Sequence, residues 1–169
     1  MNLIKQVFDD YIVVPSGTTD PFELSQPNGP WVIGSFPLWH YLKHIGIEPD
    51  WIYDDIDYVV NTPDQSNELL NFFRDLNLTE SSPFNYIHKF DNGKFQVNTQ
   101  AYKDIRFRLY NADIDITQVG MDNNNFYLSK SAYKNIPLKK FKLTGKTFDQ
   151  QRTNQRIQKY TKRGFVLQP

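Results

Sequence analysis

The spacing of apolar residues changes twice between residues 31 and 60 of this sequence. The run Trp31–Ile33 is continuously apolar, as buried strands are. Apolar residues then recur at intervals of four and three, the period of a helix with one buried stripe: Leu38, Leu42 and Ile45. Residues 55–60 alternate polar and apolar before they end in a valine pair. The pattern predicts a strand, a helix and a second strand, in this order.

The residues that join the first strand to the helix favour an anion site. Ser35 is a natural N-cap and Pro37 falls in the first turn, so we expect the helix to begin here and to end at Gly46. Free N–H groups and the positive end of the helix dipole attract anions at a helix N-terminus. Gly34 and Ser35 are therefore candidate phosphate-binding residues.

Two carboxylates lie on one face of the second predicted strand. Side chains at i and i+2 of a strand point to the same side, so Asp55 and Asp57 are neighbours while Ile56 points into the core. Ionised carboxylates this close repel each other unless a cation lies between them. Mg²⁺ prefers oxygen ligands at about 2.0 to 2.1 Å. The pair predicts a metal site on the strand next to the phosphate-binding turn.

Helical spacing and turn-forming residues divide the rest of the chain. Residues 1–14 predict a helix and a short extension, and residues 15–30 predict a loop, rich in Pro, Gly, Ser and Thr, that we expect to cover the site as a lid. Thr62 begins a capping box ahead of a helix with an apolar face: Leu69, Leu70, Phe72, Phe73 and Leu76. The sequence Asp91-Asn92-Gly93 predicts a type I′ hairpin between strands at 84–90 and 94–97.

A further pair of carboxylates follows the hairpin. Residues 105–110, 113–119 and 126–128 each predict a strand. The second of these strands places Asp113 and Asp115 on one face. Spacing alone does not choose which of the two joins Asp55 and Asp57.

The last predicted element is a basic helix over residues 148–162, within a C-terminal segment of residues 148–165. Arg156, Lys159 and Arg163 recur at intervals of three and four, so we expect them to share one face that meets phosphates, with Ile157 and Tyr160 on the opposite face. A solvated amphipathic helix would have the same spacing.

Length, composition and charge narrow the class of protein. A chain of 169 residues is expected to form a single domain over residues 1–169. It has 19 basic and 19 acidic residues, yet residues 48–64 hold six acids and no base, whereas residues 139–163 hold nine bases and one acid. The absence of cysteine excludes disulfides and thiolate metal sites. No apolar run approaches the roughly 18 residues of a membrane span. We expect a cytoplasmic protein.

Two motifs carry a resemblance to a known superfamily. An apolar strand, Gly34-Ser35, a helix and then Asp55-Ile56-Asp57-Tyr58 resemble the signature of the polymerase-beta-like nucleotidyltransferases. The run from Arg156 to Phe165 is similar to the ending of a set of nucleotidyltransferase-like proteins, many of them viral, in which an Asp on a late strand precedes it. Asp113 corresponds to that Asp, although Ala112 stands where these proteins have Phe.

The resemblance implies an α+β fold, with a mixed β-sheet flanked by helices, and an enzyme of the nucleotidyltransferase class. It implies that Asp55, Asp57 and Asp113 (or Asp115 as the third) bind two Mg²⁺ ions, or Mn²⁺ in their place. Gly34, Ser35, Arg156, Lys159 and Arg163 would bind the nucleotide. The enzyme would move a nucleoside monophosphate from a nucleoside triphosphate such as ATP to an acceptor, with release of pyrophosphate. If the source is viral, the location would be the host cytoplasm.

Several alternatives stay open from the sequence. The acceptor could be a protein, an RNA end or a small molecule, and neither the base nor the oligomeric state is encoded in a motif. A catalytically inactive protein of the same fold could bind nucleotide, nucleic acid or protein without transfer. The intact pair Asp55 and Asp57 argues against an inactive protein, and zero net charge argues against a module that binds nucleic acid alone.

Overall fold

The computed structural model of the protein describes residues 9–169. Its strands are β1 (Tyr11–Pro15), β2 (Trp31–Ile33), β3 (Ile56–Val60), β4 (Glu80–Phe84), β5 (Ile87–Phe90), β6 (Phe95–Ala101), β7 (Val119–Met121), β8 (Asn125–Ser129), β9 (Lys140–Phe141) and β10 (Val166–Leu167). Its α-helices are α1 (Ser35–His44), α2 (Pro63–Asp75), α3 (Ile105–Tyr110), α4 (Lys130–Asn135) and α5 (Gln150–Lys162), and a 3-10 turn covers Asp115–Thr117.

Within the described residues, eight of these strands form one sheet in the order β1-β8-β7-β2-β3-β6-β5-β4. The central pair β3 and β6 is parallel, with Asp57 opposite Gln96, and the other neighbouring pairs are antiparallel. Strands β9 and β10 form a small parallel pair of their own. The predicted α+β class, with a mixed sheet flanked by helices, is confirmed.

The two faces of the sheet have different neighbours. Ile56, Tyr58 and Val60 point to the main core, which includes buried residues of α1 and α2. Val59 points the other way, into a smaller cluster in which Ile105 and Leu109 of α3 cover the sheet. By alternation Asp57 lies on this second face. One side of β3 is therefore apolar throughout, whereas the side that α3 covers at Val59 carries a polar position at Asp57.

The elements between residues 31 and 60 agree with the sequence except at the helix start and at Asp55, which precedes β3 because this strand begins at Ile56. Strand β2 is buried throughout, and Leu38 and Leu42 are buried in α1. The N-cap of α1 is Gly34, not Ser35, because Gly34 adopts φ 91° and Ser35 already has helical geometry. The Ser35 hydroxyl instead accepts a hydrogen bond from the Asp54 N–H at 3.1 Å. Its role is to tie the helix start to the segment that precedes β3.

Other local predictions are confirmed with smaller differences. Thr62 caps α2, because its side chain accepts a hydrogen bond from the Gln65 N–H at 3.3 Å. Leu76, expected on the buried face, follows the helix and is 45% exposed. The hairpin between β5 and β6 is present, and Asn92 and Gly93 both have the positive φ angles expected of its turn. The Lys94 N–H donates a hydrogen bond to the Asp91 carbonyl at 3.1 Å and closes this turn. The helix expected over residues 1–8 lies outside the described residues.

Two predicted strands are wrong. Residues 105–110 form α3, whose N-cap Asp104 accepts a hydrogen bond from the Arg106 N–H at 2.9 Å. Ile105 and Leu109 are four residues apart and both buried, and the missing side chain at Gly120 makes room for Ile105. In residues 113–119, only Val119 belongs to a strand, since a 3-10 turn precedes it. Asp113 and Asp115 therefore do not share a strand face.

The loop at residues 16–30 packs on the sheet and does not form a lid. Buried Asp20 accepts hydrogen bonds from the Ser25 N–H and hydroxyl and from the Tyr58 hydroxyl, the last at 2.7 Å. Phe22 packs edge-on against Phe72 and Phe73. Tyr58 points away from the face that bears Asp57, so the described part of this loop is anchored on the far side of the sheet.

Candidate nucleotide site

A cleft of about 690 Å³ opens on the second face of the sheet, beside β2, β3 and β6. Helices α3 and α5 supply its other sides, and most of the residues singled out in the sequence line it: Gly34, Ser35, Asp55, Asp57, Asp113, Arg156 and Lys159. Segments far apart in the chain thus bring the expected phosphate-binding and carboxylate residues to one cavity. The structure places Asp115 and Arg163 outside this lining.

The turn at Gly34 is close to the carboxylates. Antiparallel pairing sets Ile33 opposite Asp57, so Gly34 follows directly beside it. A Cβ atom built on Gly34 would lie 3.3 Å from Asp57 Oδ2, and the φ of 91° is one that side-chain-bearing residues rarely adopt. The start of α1 therefore comes close to the Asp57 carboxylate at Gly34.

The pair Asp55 and Asp57 is short of compensating charge. Burial, together with the Asp55 charge, raises the pKa of Asp57 to about 7. Burial and the neighbouring Asp54 also raise the pKa of Asp55. Asp57 Oδ1 is buried and has no hydrogen-bond partner among the described residues. A bound cation would relieve the repulsion and give this oxygen a ligand.

Asp113 is already paired with α5. Its Oδ2 accepts a hydrogen bond from the Thr153 hydroxyl at 2.6 Å, and its Oδ1 accepts one from the Arg156 guanidinium at 2.8 Å. Burial raises the pKa of Asp113, but these hydrogen bonds and the Arg156 charge outweigh it and hold the pKa below its ordinary value. Asp113 faces the cleft as one half of an ion pair.

The other two basic residues expected to bind nucleotide are Lys159 and the C-cap Arg163, and both reach a carboxylate that the sequence did not single out. Asp54 accepts hydrogen bonds from Lys159 Nζ and from Arg163, each at 2.9 Å. Burial raises the pKa of Asp54, but the two cations outweigh it and lower the pKa overall. The Arg163 guanidinium also lies 4.2 Å from the centre of the Trp51 ring. Arg163 thus holds the end of α5 against residues 51–54.

Tyr160 lies on the same side of α5 as Arg156 and Lys159, contrary to the face assigned to it from spacing. It is buried and lines the cleft with them. Arg163 also lies 5.4 Å from its ring centre. Tyr160 therefore anchors the basic side of α5 to the body of the protein.

Asp115 has a different environment. It is buried, its Oδ2 accepts hydrogen bonds from the Ser131 hydroxyl at 2.6 Å and the Asn135 amide at 2.7 Å, and its Oδ1 accepts one from the Lys142 N–H at 2.9 Å. These contacts connect the 3-10 turn to α4 and to Lys142, the residue after β9. Both oxygens are occupied in holding the fold together.

Sequence reasoning missed Arg108, which lines the cleft from α3. Burial, and then the charge of Arg156, lowers its pKa, although the Asp57 carboxylate opposes this effect. Its side chain forms no hydrogen bond within residues 9–169, so the guanidinium is available to donate hydrogen bonds to an anion. Asp104 is the sequence signal that could have revealed Arg108, because aspartate is a favoured helix N-cap. It would have predicted a helix over residues 105–110 and placed Arg108 on a different face. Further cleft cations are Lys89, Lys146 and Arg152.

The carboxylates fit a divalent cation in part. Asp55 and Asp57 offer oxygen ligands, one of them unpartnered, as Mg²⁺ prefers. In the region that the structure describes, no three or more His, Asp or Glu side chains converge as a metal-binding group. Asp113 would have to leave Arg156 to become a third ligand.

Comparison with solved structures shows the fold. The Thermotoga maritima CCA-adding enzyme complexed with tRNA matches with a TM-score of 0.60 and 16% identity over 100% of this chain and 43% of that chain. A CCA-adding enzyme in complex with CTP matches with a TM-score of 0.59 and 14% identity, over 82% of this chain and 36% of its own. A CCA-adding enzyme in complex with ATP matches with a TM-score of 0.59 and 16% identity, over 82% of this chain and 34% of its own.

This chain spans less than half the length of these solved structures. No protein-family model and no curated protein sequence matches it. At this level of identity the likeness shows a nucleotidyltransferase-like fold, and it does not bear on the viral proteins that residues 156–165 resemble. No helix among residues 9–169 combines the length and the apolar character needed to cross a membrane.

Proposed function

We propose that this protein transfers a nucleoside monophosphate from a nucleoside triphosphate to an acceptor hydroxyl and releases pyrophosphate. One observation carries the proposal: the turn at Gly34 and the carboxylate of Asp57 adjoin, with only 3.3 Å between Asp57 Oδ2 and a Cβ built on Gly34. A triphosphate held at the helix start would place its inner phosphates beside the two carboxylates. The fold shared with CCA-adding enzymes supports this assignment.

Each side of the cleft has a role in this reaction. The N–H groups at the start of α1 bind the outer phosphates, and Arg108 and Lys159 offset their charge. Asp55 and Asp57 would hold the divalent cation, Mg²⁺ or Mn²⁺. When bound, this cation would neutralise phosphate charge and lower the pKa of the acceptor hydroxyl. The acceptor oxygen bonds to the α-phosphorus as the bond to pyrophosphate breaks, and the hydroxyl proton is released.

Asp113 and Arg156 would exchange partners on nucleotide binding. In their ion pair each satisfies the other, at 2.8 Å. A phosphate is a strong bidentate partner for a guanidinium. If Arg156 turns to the triphosphate, Asp113 becomes free to act as the third carboxylate beside Asp55 and Asp57. The proposal of two cations depends on this exchange.

A transfer assay tests the proposal. The protein is incubated with each α-labelled nucleoside triphosphate, Mg²⁺ or Mn²⁺, and protein, RNA or small-molecule acceptors, and pyrophosphate and labelled product are measured. Asp55→Asn and Asp57→Asn are expected to lose at least about a hundredfold in rate, roughly 2.7 kcal/mol or more. Asp50→Asn is the matched control, because Asp50 is exposed, belongs to the same acidic run and lies outside the cleft lining. Full activity in either cleft variant would contradict the assignment.

A nucleotide-binding protein without transferase activity is the second candidate. The observation that favours it is the pairing of Asp113 with Arg156 and Thr153, which leaves only Asp55 and Asp57 of the three expected metal ligands without a cationic partner. Such a protein would bind a metal–nucleotide complex but release no pyrophosphate with any acceptor. If single-stranded nucleic acid were its ligand, binding would weaken steeply with salt.

A further inference from the structure

Two aromatic side chains are exposed at the edge of the cleft. Phe84, at the end of β4, is 59% exposed and Tyr86, just before β5, is 40% exposed. Their ring centres are 5.9 Å apart and the rings are within 14° of parallel. Both line the cleft that holds Asp55 and Asp57. Exposed aromatic rings in a cleft are typical of a site that binds a flat apolar group.

The strand between these rings and the carboxylates carries a row of amides. Gln96, Asn98 and Gln100 alternate along β6 and all line the cleft. Asn98 Oδ1 accepts a hydrogen bond from the Gln100 N–H at 2.9 Å, and the Asn98 amide nitrogen donates to none of the described residues. Side-chain amides offer both donors and acceptors. The row therefore presents hydrogen-bonding groups of both kinds.

Strand register places the rings and the carboxylates at the two ends of one surface. Asp57 is opposite Gln96, Asn98 is opposite Ile87, and Ile87 is opposite Phe84, so all of these side chains share a face. Three strand spacings and an offset of two residues separate Asp57 from Phe84, which amounts to roughly 16 Å between backbone positions. This distance leaves room for one nucleoside between the aromatic rings and the carboxylates.

We propose that Phe84 and Tyr86, with the amides of β6, form a seat for a nucleobase. The inference rests on the proposed function, in which the phosphates bind at Gly34 and the carboxylates. The base stacks on the aromatic pair, and its polar edge bonds to Asn98 and Gln100. The base belongs either to the nucleoside triphosphate or to a single-stranded nucleic-acid end that acts as acceptor. In both cases the recognised chemistry is a planar heterocycle with donors and acceptors at its edge.

The double variant Phe84→Leu/Tyr86→Leu tests the seat, because it keeps apolar bulk and removes both rings. Binding of the four α,β-methylene nucleoside triphosphates with Mg²⁺ is measured by calorimetry beside inorganic tripolyphosphate with Mg²⁺. Stacking of a base on an aromatic ring strengthens binding, so affinity for at least one nucleotide should fall about tenfold or more. Affinity for tripolyphosphate should not change.

A second arm identifies the source of the base. Binding of a single-stranded oligonucleotide and of an abasic oligomer of equal length is measured by fluorescence anisotropy. If the double variant loses affinity for the nucleotides, the base belongs to the triphosphate. If it loses affinity for the oligonucleotide but not for the abasic oligomer, the base belongs to the acceptor. Tyr133→Leu is the matched control, because Tyr133 is 46% exposed on α4 and lies outside the cleft lining.

Three results would overturn the inference. The first is unchanged affinity of the double variant for every nucleotide and for the oligonucleotide. The second is an equal loss for tripolyphosphate, which would place the defect at the phosphates. The third is a wild-type protein that binds no nucleotide more tightly than tripolyphosphate and no oligonucleotide more tightly than the abasic oligomer. These experiments measure binding and not transfer. If the protein binds nucleotides as expected but transfers no nucleoside monophosphate, the proposed function is wrong and the base site is retained. If the protein is active but the double variant binds every ligand unchanged, only the base site is wrong.

Discussion

At the scale of single residues, Asp57 has the least satisfied environment in the cleft. It is held by β3 next to a turn that only glycine fits easily, and one of its oxygens has no partner among the described residues. An aspartate in this position weakens the folded state when it ionises without a cation. Such a cost is common where side chains are placed for binding and not for stability.

The raised pKa of Asp57 predicts a pH dependence of stability. Because burial and Asp55 raise this pKa to about 7, the folded chain binds more protons than the unfolded chain between about pH 4 and pH 7. The free energy of unfolding contributed by Asp57 should therefore fall as pH rises through this window. In EDTA, Asp57→Asn should match the wild type near pH 4 and exceed it above pH 7, by on the order of a few kcal/mol. Urea unfolding at each pH measures the difference in free energy of unfolding between the variant and the wild type. A difference that is the same at every pH would contradict the prediction.

Asp113 and Asp115 should fail in different ways. Asp113→Asn is expected to lower the transfer rate at least about a hundredfold while nucleotide binding is largely kept. Asp115→Asn weakens three hydrogen bonds to α4 and Lys142, so it should cost about 2 kcal/mol of stability and lower Tm by roughly 4 to 8 °C. Its rate below the melting range should fall at most about tenfold. The reverse order of damage would move the third carboxylate to Asp115.

At the scale of elements, the start of α1 couples the turn at Gly34, the proposed phosphate site, to strand β3, which carries Asp57. Gly34 continues β2, which pairs with β3, and the Ser35 hydroxyl accepts a hydrogen bond from the Asp54 N–H. The helix start and the carboxylates therefore cannot move independently. Helix α5 adds a second connection, because Arg156 reaches Asp113 and Lys159 reaches Asp54.

Substitutions in the turn should separate backbone strain from ligand binding. Gly34→Ala and Gly46→Ala both place a Cβ at positive φ, so each should lose about 1 to 2 kcal/mol of stability. A Cβ on Gly46 meets no atom within 4 Å, whereas a Cβ on Gly34 crowds Asp57. Only Gly34→Ala should weaken tripolyphosphate binding, by about tenfold or more, as measured by calorimetry.

Ser35→Ala tests the hydroxyl in the same turn. The N–H groups of α1 remain, so tripolyphosphate affinity should fall only a few-fold, about 1 kcal/mol or less. An effect as large as that of Gly34→Ala would show that the hydroxyl, and not the backbone, holds the phosphate.

At the scale of the whole molecule, the cleft is assembled from parts of the chain that only folding brings together. Strands β2 and β3, the hairpin of β4 and β5, and helices α3 and α5 all contribute to its lining. The described loop at residues 16–30 packs on the far side of the sheet, so it leaves the cleft open.

Metal binding should stabilise the folded protein through the cleft. Mg²⁺ at about 100 times its Kd adds roughly 2.7 kcal/mol to the free energy of unfolding, which raises Tm by about 5 to 10 °C. The double variant Asp55→Asn/Asp57→Asn should show no such rise. Thermal unfolding with MgCl₂, and with NaCl at equal ionic strength, measures the effect. An equal rise in the wild type and the double variant would place the ion elsewhere.

The sequence by itself determined the elements whose signals are local. The apolar run of β2, the stripe of α1, the i and i+2 spacing of Asp55 and Asp57 and the cap at Thr62 depend on neighbours within a few residues. Tertiary structure decided the rest, because the pattern of residues 105–110 suits a strand as well as a helix until Ile105 meets Gly120. Asp113 and Asp115 likewise differ because of distant partners: Asp113 pairs with Arg156, 43 residues further along the chain, and faces the cleft, whereas Asp115 does not. Local spacing carries no information about partners this distant, and packing selects them.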